Sequence, residues 1–92
     1  MASPKPRTTV VPLKTPIVNG DAQIKELTLR EPRPGELRGL SLSDIARGDT
    51  NTLIKLIPRI ANENVTENEI AMLDGLVDYA NLYEAIAGFL QN

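Results

Sequence analysis

The 92-residue sequence contains no cysteine, no histidine and no tryptophan. Without cysteine it can form neither a disulfide framework nor a thiolate metal site, and without histidine it lacks the usual proton carrier near neutral pH. Its acidic residues Glu67, Glu69, Asp74 and Asp78 fall at predicted helix starts or on polar faces, where the helix dipole and solvation explain them. We therefore predict no enzymatic activity, no cofactor and no metal site.

Long apolar runs and basic clusters are also missing. No run approaches the roughly 20 apolar residues of a membrane span, and the amino terminus lacks the apolar core of a signal peptide. Residues 1–14 carry three basic residues and no acid, whereas six acids and no base follow Ile60. Phosphate binding needs clustered Lys and Arg. We expect no membrane or nucleic-acid partner and assign the protein to the cytoplasm.

Aromatic residues are scarce, with one Phe and two Tyr, although 41% of the residues are hydrophobic. The core must be built from Leu, Ile, Val and Ala, and a chain of this length buries only about 60 to 65% of its unfolded surface. We expect a thin core that helices of a partner could complete.

The first thirty residues predict an arm and a hairpin. Residues 1–12 are rich in proline and polar residues, which predicts a flexible arm that is dispensable for folding. Two β-prone runs within residues 13–30 flank Asn19-Gly20, the strongest short hairpin signal. The parity of the apolar residues predicts a bulge at Lys25 or Glu26. Pro16 lacks an N–H donor and is expected at an edge or unpaired position.

The segment "EPRPGELRGLSLSDIARGD" (31–49) is either a phosphate-binding loop or a joint between hairpin and helices. It lacks the GxxxxGK[ST] order, a preceding buried strand and a long following helix. We interpret it as a joint, with a helical turn from Pro34 and a short helix over 42–47 capped by Ser41 or Ser43.

The remaining sequence predicts helices. The segment "TNTLIKLIPRIAN" should form a helix capped by Thr50 or Asn51. This helix should end at Ile57, because Pro58 has no N–H to donate to the carbonyl of Ile54. "TENE" has capping-box spacing and predicts a helix from Glu67, interrupted at Asp74-Gly75 and followed by a final helix over 75–90. A single bent helix is the alternative. The predicted fold class is α+β: a two-stranded hairpin followed by a small bundle of four to five short helices within residues 13–92, as one domain.

The final helix carries more apolar residues than one contact surface needs. One stripe comprises Leu76, Val77, Ala80, Tyr83, Ile86, Ala87 and Leu90, with Leu82 and Phe89 beside it. Either this is the central core helix, or part of it awaits another chain. The predicted partner-binding residues are Leu76, Tyr79, Leu82, Tyr83, Ile86, Phe89 and Leu90.

The order of several segments resembles a known family. "IKELTLREP" (24–32), "GELRGLSLSDI" (35–45), "LIKLIPRIA" (53–61), "VTENEIAMLD" (65–74) and "GFL" (88–90) are similar to the tail assembly chaperones of contractile-tailed phages and prophages, the E-protein-like or Mu-like family. Gly75 stands where relatives often have proline.

The resemblance implies a non-enzymatic protein of the host cytoplasm, absent from the mature virion. It would bind the tape measure protein and keep it soluble until tail tube subunits polymerise around it. It also implies a frameshift-extended longer form as a second partner, with the tail tube protein and a further copy of the chain as other candidates. A small structural adaptor of the tail or baseplate is the alternative.

Overall fold

The structure is a computed structural model that describes residues 7–90. A two-stranded hairpin comes first, followed by a 3₁₀ turn and four α-helices, which confirms the predicted α+β class. The elements are β1 (Thr8–Asn19), β2 (Ala22–Arg30), the 3₁₀ turn (Pro34–Leu37), α1 (Leu42–Ala46), α2 (Thr50–Ile60), α3 (Glu67–Ala71) and α4 (Leu76–Leu90). Among the described residues, no helix is long and apolar enough to cross a membrane.

The hairpin turns one residue later than predicted. Asn19 pairs with Ala22, so the turn consists of Gly20 and Asp21. Gly20 has a φ of 65°, while no other residue type in the described part of the chain has a positive φ. A single positive φ at the first turn position suits glycine, because it has no Cβ to clash, and Asn19 can stay in the strand.

The strand irregularity lies in β1, so the predicted extra residue near Lys25 or Glu26 in β2 is wrong. Pro12 pairs with Glu26 and Ile17 with Ile24, which leaves residues 13–16 of β1 opposite Lys25. Pro12 and Pro16 lack the N–H that a regular ladder uses, so pairing fails on the strand that contains them. The expectation that Pro16 is unpaired is confirmed.

β1 begins before the predicted hairpin boundary. Residues 8–12 pair with residues 26–30, and the Val11 side chain is only 3% exposed. The arm prediction is therefore wrong for residues 8–12, because the run "TTVV" favours a strand more strongly than its neighbouring prolines oppose one. Arg7 precedes β1 and donates from its guanidinium to the Phe89 carbonyl at the end of α4. Residues 1–6 of the predicted arm lie outside the described residues.

α2 continues through Pro58 instead of ending at Ile57, and its cap is Asp49, whose carboxylate accepts from the Thr52 N–H at 3.1 Å. Because Pro58 lies in the last turn, it removes one helical hydrogen bond, to Ile54. The helix still closes, since the Ala61 N–H donates to the Ile57 carbonyl at 3.0 Å. The predicted break after Ile57 is wrong for that reason. The predicted caps, Thr50 and Asn51, are wrong because Asp49 precedes the helix and accepts from its first turn.

The predicted break between the last two helices is confirmed. Thr66 and Glu69 form the capping box at the start of α3. Gly75 has a φ of 88°, and α4 begins at Leu76, one residue after the predicted start. The joint before these helices is also confirmed at Ser41, whose side chain accepts from the Asp44 N–H and caps α1.

The core lies between one face of the hairpin and helices α2 and α4. The segment after α2 covers the outer edge of β2, where the Asn62 N–H donates to the Thr28 carbonyl at 2.9 Å. Within residues 7–90, fifteen apolar side chains are buried: Val11, Leu13, Ile17, Leu27, Leu29, Ile45, Leu53, Leu56, Ile57, Ile60, Val65, Ile70, Leu82, Ile86 and Phe89. The predicted aliphatic composition holds, with Phe89 as the single aromatic member.

Candidate partner-binding surface

The seven residues predicted to bind a partner fall on two sides of α4. Leu82, Ile86 and Phe89 are 0%, 1% and 8% exposed and belong to the core of the domain. The structure contradicts their assignment to an accessible surface, because the hairpin and the shorter helices already cover them. Leu76 and Leu90 are 81% and 42% exposed. Tyr79 and Tyr83 are half-buried. A binding role for these four stays a prediction.

The buried face of α4 is rotated from the predicted stripe. It consists of Asp78, Leu82, Ile86 and Phe89, whereas the stripe was centred near Leu76 and Tyr83. At about 100° per residue the two centres differ by roughly 120° around the helix. Counting apolar residues alone misplaced the face, because a carboxylate lies at its first position.

Asp78 joins α4 to β1, a structural role that was not predicted from the sequence. Its side chain is 1% exposed, and its two carboxylate oxygens accept from the N–H groups of Lys14 and Thr15 at 2.8 and 3.1 Å. These donors lie in the unpaired part of β1, so Asp78 satisfies backbone groups that β2 does not reach. The prediction of a solvated polar face is wrong here. The signal was its spacing of four and eight residues from Leu82 and Ile86.

Tyr83 has a structural partner. Its hydroxyl donates to the Ala46 carbonyl at 3.1 Å. Its ring lies against Gly48, where an added Cβ would stand 3.2 Å from the ring and where φ is 76°. The ring therefore fixes α4 against the link between α1 and α2, which explains part of its burial without a partner protein.

Arg30 and Glu36 join β2 to the 3₁₀ turn. The Arg30 guanidinium donates to both Glu36 oxygens, one of them at 2.6 Å, and the Arg33 N–H donates to the same carboxylate at 2.9 Å. The hydrogen bond from Arg30 is the main reason why the pKa of Glu36 falls from 4.5 to about 2. This arginine therefore serves the fold of the joint.

The Glu36 shift makes stability depend on acid pH. Because the folded-state pKa is lowered, the unfolded chain takes up the proton first as the pH falls. The interaction stabilises the fold fully above about pH 4.5, and its contribution is lost as the pH falls from 4.5 towards 2. Exposure of the Glu36 and Arg30 side chains, 23% and 32%, screens the pair and reduces this contribution.

An apolar depression lies where α3, α4 and the start of α2 meet, and we call it the α3–α4 cleft. Its volume is about 180 Å³ and it opens to solvent. The hydroxyl oxygen of Tyr79 is buried without a hydrogen-bond partner among residues 7–90. The lining residues are Thr50, Ile54, Ile70, Ala71, Leu73, Gly75, Leu76 and Tyr79. The cleft thus has largely apolar walls, and the unsatisfied Tyr79 oxygen is buried away from solvent.

Other depressions lie on the described part of the surface, including one of about 520 Å³ between the start of β1 and the end of α4. One of about 170 Å³ lies between Thr15–Val18 of the hairpin and Met72–Asp74. Another of about 140 Å³ lies at the far end of α4, where Leu42 and Leu90 contribute to its wall. Leu73 lines both the depression of about 170 Å³ and the α3–α4 cleft. Within residues 7–90, no three acidic side chains come together as a metal site would require.

Comparison with known proteins identifies the family. The chain matches the family described as "Phage tail assembly chaperone proteins, E, or 41 or 14" over residues 10–91. Tail assembly protein E of Escherichia phage P2 is 38% identical over 81 residues, which cover 88% of each protein. Tail assembly protein E' of the same phage is 38% identical over 81 residues, which cover 88% of this chain and 56% of E'. The chain therefore spans little more than half of E'.

No solved structure matches the sequence significantly. The assignment rests on the family match, which covers nearly all of the hairpin and every helix described above. Both relatives are tail assembly proteins, which agrees with the family that the hairpin, the joint and the helical segments resemble. This protein belongs to the phage tail assembly chaperone family.

Proposed function

We propose that this protein binds the tape measure protein of its phage or prophage and keeps it soluble until the tail tube polymerises around it. The observation that carries the proposal, beside family membership, is the apolar α3–α4 cleft. Leu76, which lines it, is 81% exposed, although the domain has a closed core of its own. An exposed apolar side chain at an apolar cleft is typical of protein-binding surfaces.

The protein acts without chemistry in this proposal. Its binding surface offers apolar walls and carboxylates, and the sequence has neither histidine nor cysteine. It works in the host cytoplasm and leaves before the virion is complete. The tail tube protein and a second copy of the chain remain candidate further partners.

This chain is also proposed to be the short form of a frameshift pair. Both proteins align with the same length of this chain, but the aligned region makes up 88% of protein E and only 56% of protein E'. Reading the gene tests this directly. A slippery run near the codons for Gly88-Phe89-Leu90 with an overlapping frame would support the pair, and its absence would count against it.

Co-expression tests the main proposal. The tape measure protein of the same phage is expressed alone, with this chain, and with an unrelated acidic protein of similar size. We expect more soluble tape measure protein only with this chain, together with co-purification. Equal solubility in all three cultures and no co-purification would refute the proposal.

Mass spectrometry of purified particles separates the chaperone from the alternative of a tail or baseplate adaptor. A chaperone is expected to be absent from finished particles. Stoichiometric amounts in the particle, at a fixed ratio to tube subunits, would favour the adaptor instead.

A further inference from the structure

We infer that the α3–α4 cleft receives an apolar side chain from a basic amphipathic helix of the partner. This inference rests on the proposed function, because it describes how the tape measure protein would be held. It commits to the chemistry of the bound segment: one apolar anchor, flanked by Lys or Arg.

The size of the cleft selects the anchor. A volume of about 180 Å³ is too small for a typical small-molecule ligand, whose sites occupy roughly 300 Å³ or more. It resembles the apolar cavity of roughly 150 Å³ that accepts a single benzene ring. One Leu or Phe side chain therefore fits, and Leu76 at the rim can cover it from the side. Insertion of single anchors into an apolar groove is how amphipathic helices are commonly bound.

Tyr79 contributes an apolar wall to the cleft. Its hydroxyl oxygen has no hydrogen-bond partner within residues 7–90 and is buried away from solvent, although the residue lines the cleft. A side chain that enters the cleft therefore meets the accessible, apolar part of Tyr79 and not its hydroxyl.

The α3 side of the cleft is negative, whereas the exposed Lys55 follows the lining residue Ile54 on α2. Glu67 precedes Ile70 and Ala71 by three and four residues on α3, so it shares their face of the helix. Asp74 lies between two lining residues, Leu73 and Gly75. Both acids are exposed, and neither belongs to an ion pair within the described residues. No Lys or Arg occurs after Arg59. Electrostatic complementarity therefore favours a basic partner segment.

Variants of the full chain test each feature against the tape measure protein. Leu76→Gln removes the apolar rim, Tyr79→Phe removes the hydroxyl, and Glu67→Gln with Asp74→Asn removes the charge. The matched controls are Leu42→Gln, an exposed leucine (56%) at the other end of the molecule, and Glu84→Gln, an exposed acid on α4. Melting temperatures are measured for all of them.

The affinity for the tape measure protein is expected to fall about tenfold or more for Leu76→Gln and to change by less than about twofold for Tyr79→Phe, whose hydroxyl is buried. Tyr79→Phe should leave the melting temperature unchanged or higher, because it removes an unsatisfied buried atom. The wild-type affinity should weaken with added salt, and the double charge variant should lose most of that dependence. Both controls should bind within about twofold of wild type.

The bound segment is then located with overlapping peptides of the tape measure protein, and we expect it to be amphipathic and basic. If the wild-type protein binds the tape measure protein, and Leu76→Gln and the double charge variant bind it equally well, the inference is overturned and the proposed function stands. A binding peptide that is acidic or lacks apolar spacing would overturn it as well. If the tape measure protein does not bind at all, both the inference and the proposed function fail.

Discussion

Asp78 offers the sharpest test of how the hairpin and α4 hold together. Replacing it with Ala leaves the N–H groups of Lys14 and Thr15 without their acceptor, in a segment that β2 does not pair. Hydrogen bonds to a charged group contribute about 1.5 to 3 kcal/mol each. Loss of both is expected to lower the free energy of unfolding by about 3 to 5 kcal/mol, a large part of the roughly 5 to 15 kcal/mol of a typical domain.

Asp78→Asn refines the same test. The amide oxygen can accept from one of the two backbone donors, but the amide nitrogen is itself a donor and faces the second. We expect a loss of about 1.5 to 3 kcal/mol, between wild type and the Ala variant. Asn has the shape of Asp but only one acceptor oxygen in its side chain. A loss of stability in Asp78→Asn would therefore come from the missing acceptor and not from a change in side-chain volume.

Thermal and urea unfolding followed by far-UV circular dichroism measure both losses. A change of 1 kcal/mol corresponds to roughly 4 to 8 °C for a domain of this size, so Asp78→Ala should melt at least about 12 °C lower. Glu84→Ala is the matched control, since Glu84 is an exposed acid on the same helix. A loss below about 1 kcal/mol for Asp78→Ala would refute the reasoning, because two buried donors would then need no acceptor.

Three further predictions concern other parts of the fold. Glu36→Gln should remove about 1 to 2 kcal/mol of stability at neutral pH and flatten the loss between pH 4.5 and 2; unchanged acid dependence in a pH series of urea melts would contradict this. Deleting residues 1–11 should lower the melting temperature by about 10 °C or more, compared with deletion of 1–6, because Val11 is buried in a paired strand; equal melts would contradict it. Leu82→Ala should lower the free energy of unfolding by about 2 to 5 kcal/mol in urea melts, and Leu76→Ala should lower it by less than about 0.5 kcal/mol. Similar losses for the two variants would contradict the placement of Leu82 in the core and of Leu76 on the exposed surface.

The helix boundaries that could be predicted depend on local chemistry. The Thr66 cap, the Ser41 cap and the interruption at Gly75 each involve residues within a few positions of one another. A capping side chain or a glycine with positive φ acts on its own turn, so the signal is present in the sequence. The prediction at Pro58 was wrong because proline breaks a helix when it lies in the middle but removes only one hydrogen bond when it lies in the last turn.

The features that could not be predicted depend on residues far apart in the sequence. Asp78 accepts from backbone groups more than sixty residues earlier, at separations of 63 and 64. Its spacing of four and eight residues from Leu82 and Ile86 places it on their face of the helix, but the sequence does not show which backbone donors it would meet there. The partner-binding surface was misassigned for the same reason, since the face of α4 that enters the core is decided by what β1 needs.

The exposure of Leu76 follows from the prolines of β1. Pro12 and Pro16 interrupt the ladder, and the N–H groups between them need an acceptor from outside the sheet. Asp78 can reach them only if its side of α4 faces the hairpin, and Leu82 then enters the core behind it. The apolar residues of α4 span more of its circumference than that one face can bury, so the remainder lies about 120° away and stays exposed. The cleft beside Leu76 is thus the consequence of how the hairpin is closed.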